Sequence, residues 1–546
     1  MGQGDLTLLA GGVVYTGRQT DPPYTAMLVA ADRIAWIGTD AGASQHRDTA
    51  TTVVDLEGAL VTPGFVDAHI HATDTGLALS GLDLAGCRSL ADVLAALERR
   101  CRQVRGHVIL GHGWDETHWP EHRPPTASEL DRASYGSIVY LSRVDVHSAV
   151  VSSALLASVP EVAGLDGYDA SGVQRRAAHH LVRRAALDTI TTSQRRAAHR
   201  LTRSTAAALG IVSLHEMAGP QISSESDLEA LLTLAAEQPG PDIVGYWGQT
   251  AADGGLEVVR RLGLPGAAGD LFVDGAIGSR TACLHQPYRD AAGESGALYL
   301  SADQIADHVS ACSREGLQAG FHVIGDAAMT AVISGFQQAA AAVGAATVRA
   351  ARHRIEHAEM VQPEQALVLA ALGVFASVQP AFDAAWGLAN GTGMYESRLG
   401  IERAATLNPF ADLARAGIWL AFGSDAPVTA LDPWGTVRAA AYHRTPEQRL
   451  TIEAAFAAHT SGGWRATGID DGGELTVGSL ASYAIWQPSQ ASQLAPAMGT
   501  TTALEAITPA ARAVAIAVDP ATPDPTCKRT VASGITIHDD NTLGRF

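Results

Sequence analysis

Hydrophobic and polar positions divide the chain into two textures. Residues 5–60 hold short apolar runs, such as Gly12-Val-Val-Tyr15, Ala26-Met-Leu-Val29 and Arg33-Ile-Ala-Trp-Ile37, separated by Gly, Asp and Pro. Runs of this length between turn formers predict short strands. The same texture returns at 473–480, 482–486 and 531–537. Two strand-rich ends around a different middle predict one small sheet domain built from both termini, residues 1–60 and 473–546. Between them, over residues 61–472, strand-like runs alternate with helical ones. Candidate strands fall at 60–66, 107–111, 138–141, 211–214, 271–273, 319–323, 354–356, 374–378 and 419–422, with some of them extra to any barrel. Helical periodicity lies between them, for example over 90–102, 226–237, 301–314 and 362–372. Repeated βα alternation of this length predicts an α/β fold, a (β/α)8 barrel with insertions. One imperfect duplication interrupts it: Gln174-Arg-Arg-Ala-Ala-His-His180 recurs as Gln194-Arg-Arg-Ala-Ala-His-Arg200, and reads as a solvated helix face.

Composition narrows the function classes. The 57 acidic residues outnumber the 38 basic ones, giving a formal net charge of −19. Nucleic acid and anionic membrane need clustered Lys and Arg, so neither is expected as a partner. The five cysteines, Cys87, Cys101, Cys283, Cys312 and Cys527, are scattered without a C-x-x-C pair. That argues against a disulfide framework or cysteine zinc site and fits a reducing cytoplasm. The N-terminus lacks a signal-peptide pattern, Leu6 breaks the myristoylation motif, and no apolar run reaches membrane-spanning length. The expectation is a cytoplasmic protein acting on a small molecule. A homodimer is its default assembly, since dimers are the commonest oligomers.

The chemistry gathers at predicted strand ends. Ala59-Leu-Val61 leads through Pro63-Gly64 and Phe65-Val66 into His69-Ile-His71. Side chains two apart on a strand share a face, so the two imidazoles project together as half of a metal site. Later strands end in His322, His357 and Asp425. In a parallel barrel all C-terminal strand ends meet at one mouth, where catalytic groups sit. The recurrence of H-x-H, H, H and D down alternating strands makes these five residues a single candidate metal constellation.

With these segments the chain resembles the amidohydrolase superfamily, and more closely its branch containing N-substituted formamide deformylases. The resemblance is carried by Pro63–His71, Gly113-Trp-Asp115, Asp274-Gly-Ala-Ile-Gly-Ser-Arg-Thr-Ala282, His322-Val-Ile-Gly-Asp326, Arg354-Ile-Glu-His357 and Gly423-Ser-Asp-Ala-Pro427. It implies a metal-dependent TIM-like barrel with a composite β-sandwich. His69, His71, His322 and His357 then match the metal ligands, and Asp425 the acid of the eighth strand. The branch usually carries a lysine four residues before Asp-Gly which, as a carbamate, bridges two metals; here that position is Asp270. Because aspartate is shorter, the expectation is one zinc on His69, His71, His322 and Asp425, with His357 beside the bound water. The alternative is two metals with Asp270 bridging after a local rearrangement. Imidazole and carboxylate ligands also suit Mn, Fe or Co.

The mechanism expected on this basis is hydrolysis of an amide-type C–N bond in a small N-acyl or N-formyl amine by metal-generated hydroxide. Asp425 serves as general base and then acid, while His357 and His322 orient water or polarise the carbonyl. Arg280 is expected either at the mouth, facing a substrate carboxylate or carbonyl, or holding its loop through backbone carbonyls. Trp114, His118, Trp119, His147, Trp386 and Tyr395 are candidates for an apolar wall, and Glu216 is a further polar strand-end candidate. Two alternatives stay open. Zinc deamination of a ring amine uses the same ligand order but wants Glu three residues after the fifth-strand histidine, where Gly325 stands. A catalytically inactive barrel acting as a binding protein is favoured only by the missing lysine.

Overall fold

The computed structural model describes residues 6–18, 20–104, 108–388, 390–488 and 508–545. The middle of the chain is organised on eight strands. These are β1 (Phe65–Ile70), β2 (Ile211–Ala218), β3 (Asp242–Trp247), β4 (Gly266–Ala267), β5 (Gln318–Val323), β6 (Arg354–His357), β7 (Phe375–Val378) and β8 (Leu420–Phe422). They pair as two parallel arcs, β3-β2-β1 and β4-β5-β6-β7-β8. Most are buried along their whole length, as expected for parallel strands covered on both faces. Phe65, Phe321, Ile355, Val378 and Phe422 form part of the core, which long helices such as Ala302–Arg314 and Asp326–Val343 help to enclose.

The two arcs meet at the seam between β1 and the end of β8. There the Asp425 N–H donates to the His69 carbonyl at 2.8 Å, and the His71 N–H to that of Ala426 at 3.0 Å. Among the described residues no ladder joins β3 to β4, so the strands form two arcs rather than the closed barrel expected. The gap has a local cause. β4 stops at Ala267, and Gly269 turns into the left-handed region at φ +83°, where a Cβ would sit 2.7 Å from Met217 Sδ. Beyond this turn the chain rejoins β5, with the His322 N–H donating to the Leu271 carbonyl at 3.0 Å.

Between β1 and β2 lies a separate five-stranded sheet. It comprises Leu82–Asp83, Ile109–Trp114, Val139–Arg143, Ser148–Val151 and Val173–Arg175. The candidate strands at 107–111 and 138–141 belong to this insertion; His107 lies outside the described residues. Strands from the two ends of the chain share two further sheets. Gly544–Arg545 pairs with Thr52–Asp55, and Tyr483–Gln487 pairs with Leu60–Pro63. Leu9, Met27, Val54, Tyr483, Ile485 and Val531 are buried together in one apolar cluster drawn from both ends.

The duplicated segments run into the helices Arg176–Leu187 and Thr192–Ala208, and their faces are not simply solvated. His179 and His199 are buried, and Arg195 pairs with Asp227 at 3.2 Å. No described helix is long and apolar enough to cross a membrane.

Candidate metal centre

His69, His71, His322, His357 and Asp425 come together at the strand ends, all buried, and Asp270 stands among them. Its carboxylate divides the group in two. Oδ2 faces His69 Nε2 at 3.5 Å and His71 Nε2 at 3.2 Å, with Asp425 Oδ1 completing that side at 3.4 and 3.1 Å from the same two nitrogens. Oδ1 faces His322 Nδ1 at 3.4 Å and His357 Nε2 at 3.5 Å. A four-coordinate ion with bonds of about 2.0–2.1 Å places neighbouring ligand atoms about 3.3–3.4 Å apart. The spacing is therefore that of ligands around an ion.

The donor atoms fit a metal in a second respect. His69 Nε2, His322 Nδ1, His357 Nε2, Asp270 Oδ1 and Asp425 Oδ1 are buried without a hydrogen-bond partner. Unsatisfied buried polar atoms are costly and rare, and five at one point call for an occupant. Three rings have their opposite nitrogen engaged, which fixes the tautomer. His69 Nδ1 meets Glu356 Oε2 at 2.9 Å, His357 Nδ1 meets Gln379 Oε1 at 2.8 Å, and His322 Nε2 meets the Gly275 carbonyl at 3.3 Å. Each leaves a lone pair aimed inward. The same atoms fix the charge balance of the metal-free chain. Burial would push His69 down, but Asp270 and Asp425 hold it well above its usual value. His71 is likewise pushed up to about 10. Both carboxylates, in spite of burial, are held below their ordinary range by these imidazoles.

Backbone geometry delivers the ligands. His357 and Asp425 adopt φ of +70° and +54°, conformations that L residues avoid and that concentrate at functional sites. Buried Asp67 accepts the N–H groups of His69 at 3.2 Å and Ser424 at 2.9 Å, tying β1 to the Asp425 turn. Asp274 accepts from Cys283, Ile324 and Gly325 at 2.7–3.0 Å, binding the loop after β4 to the end of β5. Glu356 is held by Arg354, whose guanidinium also covers the Tyr246 ring at 4.5 Å. Glu356→Gln is expected to weaken metal affinity about 10–100-fold, the usual cost of losing such an outer partner. Competition against a chromophoric chelator measures it.

Other expected residues fall differently. His147 is placed at the site, its ring 5.0 Å from that of His322, and burial followed by His322 pushes its pKa well down, so it is neutral. Arg280 does not face the ligands: it is bound to Asp290 at 3.0 and 2.7 Å and serves its own loop. It does so through a carboxylate rather than backbone carbonyls. Gly278 beside it admits the buried Arg143–Asp145 pair, which a Cβ would meet at 2.4 and 2.6 Å. Trp114 and Trp119 are core residues of the inserted sheet, their indole N–H groups donating to the Leu141 and Cys87 carbonyls at 2.8 and 3.1 Å. Glu216 is buried beside the metal ligands and accepts the Ala72 N–H at 2.6 Å; burial raises its pKa to about 8.

A cavity of about 20 Å³ adjoins the ligands, lined by His322, His357 and Asp425 together with Phe382, Trp386 and Tyr395. That volume holds a water or two, and a substrate needs a wall to move. Reading the sequence for strand-end residues passed over Glu359, Phe382 and Asp145, which also line it. Glu359 lies two residues beyond His357, at an H-x-E spacing that marked it.

A set of buried imidazoles and carboxylates spaced for ions, at the ends of parallel strands, defines a metal-dependent hydrolase. The comparisons agree with that class. The model of the amidohydrolase family matches residues 52–537. Over 514 residues, covering 88% of this chain and 86% of the relative, it is 26% identical to Protein LONG AFTER FAR-RED 3 of Arabidopsis thaliana. It is 24% identical over 479 residues to the N-substituted formamide deformylase of Arthrobacter pascens, covering 81% and 86% of the two chains. An uncharacterized metal-dependent hydrolase from Pyrococcus furiosus superposes with a TM-score of 0.67 at 27% identity, covering 88% of this chain and 98% of that one. The chain belongs to the amidohydrolase family, and it is a metal-dependent hydrolase acting on carbon–nitrogen bonds.

Proposed function

We propose that the protein cleaves the amide-type C–N bond of a small N-substituted amine, an N-acyl or N-formyl compound, at a centre of two divalent ions. The division of the ligands by Asp270 carries this reading: His69 and His71 face Oδ2, Asp425 shares their side, and His322 and His357 face Oδ1. Two ions are proposed here where aspartate's length alone led to the expectation of one. When bound, the ions polarise the substrate carbonyl and make water acidic enough to attack at neutral pH. His69, His71 and Asp425 would hold one ion and His322 and His357 the other, with Asp270 between them. Asp425, at the cavity wall, takes the proton of the attacking water and returns it to the leaving nitrogen. Neutral His147 offers a hydrogen bond to the substrate without adding charge. We further propose that residues 61–472 follow the (β/α)8 plan, with its eight strands set as two arcs, and that residues 1–60 and 473–546 form a β-sandwich.

Two measurements test the reading. Metal analysis of the purified enzyme is expected to give two equivalents per chain, and one equivalent at saturation overturns the shared-carboxylate arrangement. Zinc is the first metal to supply, with Mn, Fe and Co as comparisons. A panel of N-formyl and N-acetyl amines beside aminopurines and aminopyrimidines is expected to release amine and acid from the former. Ammonia from the latter alone would instead assign ring deamination.

A further inference from the structure

The cavity wall carries a carboxyl group with no assigned role, two residues beyond His357. Glu359 is 3% exposed, lines the cavity, and its Oε2 has no hydrogen-bond partner. The cations around it are committed elsewhere. Arg444 is bound to Asp383 at 2.8 Å, to Glu396 and to the Ala404 carbonyl. The other wall carboxylate, Asp145, accepts from Arg143 and Ser279 at 2.8 Å each. No Arg or Lys is among the residues lining the cavity. Two further buried polar atoms beside Glu359 lack partners, the Tyr395 hydroxyl and Asn408 Nδ2, and the Asn408 N–H donates to the Glu359 carbonyl at 2.9 Å.

Phe382, Trp386 and Tyr395 line the same cavity as this carboxyl group. Phe382 and Trp386 lie 4.5 Å apart between ring centroids, and Tyr395 meets Trp386 edge-on at 6.2 Å. An unpaired buried carboxylate is costly, and the cost disappears when a cation is seated against it. Aromatic faces attract the same ligand, because their quadrupole presents negative potential to a bound ammonium group. A carboxylate at the end of the substrate remote from the ligands would meet the Glu359 carboxyl group and rings.

We propose that Glu359, with Phe382, Trp386 and Tyr395, selects substrates that carry a second, protonated nitrogen: mono-N-acylated diamines and related amides bearing an ammonium group. This rests on the amide-hydrolase reading above and adds the substrate class to it. Glu359 is thereby a specificity residue that touches the part of the substrate remote from the reacting bond.

The test uses three N-formyl compounds of matched length, made from butane-1,4-diamine, pentylamine and 4-aminobutyrate. On the metal-replete enzyme, kcat/KM is expected to be at least about tenfold higher for the ammonium compound than for the methyl one, with the carboxylate compound lowest. Glu359→Gln, checked for unchanged metal content, should bring the ammonium-to-methyl ratio close to one, and Tyr395→Phe should lower it less. Equal or inverted preference in the wild type, or an unchanged ratio in Glu359→Gln, overturns the proposal. Calorimetric binding of butane-1,4-diamine alone separates the two readings. If no amide is cleaved but the wild type binds the diamine and Glu359→Gln does not, the amide reading fails and the cation site stands. Absence of diamine binding with cleavage of the methyl compound intact removes the cation site alone. In that case Glu359, Tyr395 and Asn408 hold only ordered water.

Discussion

Asp425→Asn is expected to lower kcat/KM by about 10²–10⁴-fold, the range supplied by a positioned proton carrier. The fold should survive the change, because Asp425 is held at this point by backbone rather than by its side chain. Its N–H donates to the His69 carbonyl at 2.8 Å across the β1–β8 seam, and Asp67 ties the neighbouring Ser424 to the same strand. The side chain is then free for chemistry, with Oδ1 3.1 Å from His71 Nε2 and no hydrogen-bond partner of its own. Asparagine keeps the shape and one ligand oxygen but cannot accept a proton from water. Asp425→Ala loses both oxygens, so its deficit should be larger and accompanied by reduced metal content. Measuring turnover and bound metal on the same samples separates the two roles. A metal-replete Asp425→Asn enzyme with near-normal kcat would remove Asp425 from proton transfer.

The constellation was legible because its members carry strong local signals. H-x-H at a strand end places two imidazoles on one face, and His69 and His71 do lie with ring centroids 5.4 Å apart. His322 and Asp425 each follow an apolar run and His357 ends the short Arg354–His357 strand, so parallel strands were enough to predict their meeting. The wall of the cavity was legible only in part: His147, Trp386 and Tyr395 line it, while other candidates fall elsewhere. Trp114 ends a strand and Trp119 follows it, but that strand belongs to the inserted sheet, whose mixed pairing begins like a barrel repeat and then turns back at Ser148–Val151. Local periodicity does not say which sheet a strand joins. Arg280 sits in a motif suggestive of substrate contact, yet its partner Asp290 lies ten residues on, in a loop without periodicity. Glu359, Phe382 and Tyr395 meet only because Pro380–Trp386 and Met394–Leu399 pack against the strand ends, a tertiary fact that no spacing encodes.

Replacing Asp270 by asparagine is expected to reduce bound metal from two equivalents to one or fewer and to lower turnover by at least the factor seen for Asp425→Asn. Chain length argued that aspartate cannot reach two ions from a lysine's position, and that argument holds for a strand of regular geometry. β4 does not have it. The strand ends at Ala267, and Gly269, immediately before Asp270, takes φ +83°, which turns the following residue toward the ligands. The turn at Gly269 thus sets a short carboxylate among the imidazoles on both sides. The two oxygens face different imidazoles, Oδ2 at 3.2 Å from His71 Nε2 and Oδ1 at 3.4 Å from His322 Nδ1. A bridging role needs two equivalent anionic oxygens, and asparagine offers one neutral oxygen, so it can serve one ion and not both. Gly269→Ala offers an independent check, because it leaves the carboxylate intact while straining the turn that aims it. Its metal content should fall toward that of Asp270→Asn. If Gly269→Ala folds and binds two equivalents with unchanged affinity, the turn is not what brings Asp270 within reach.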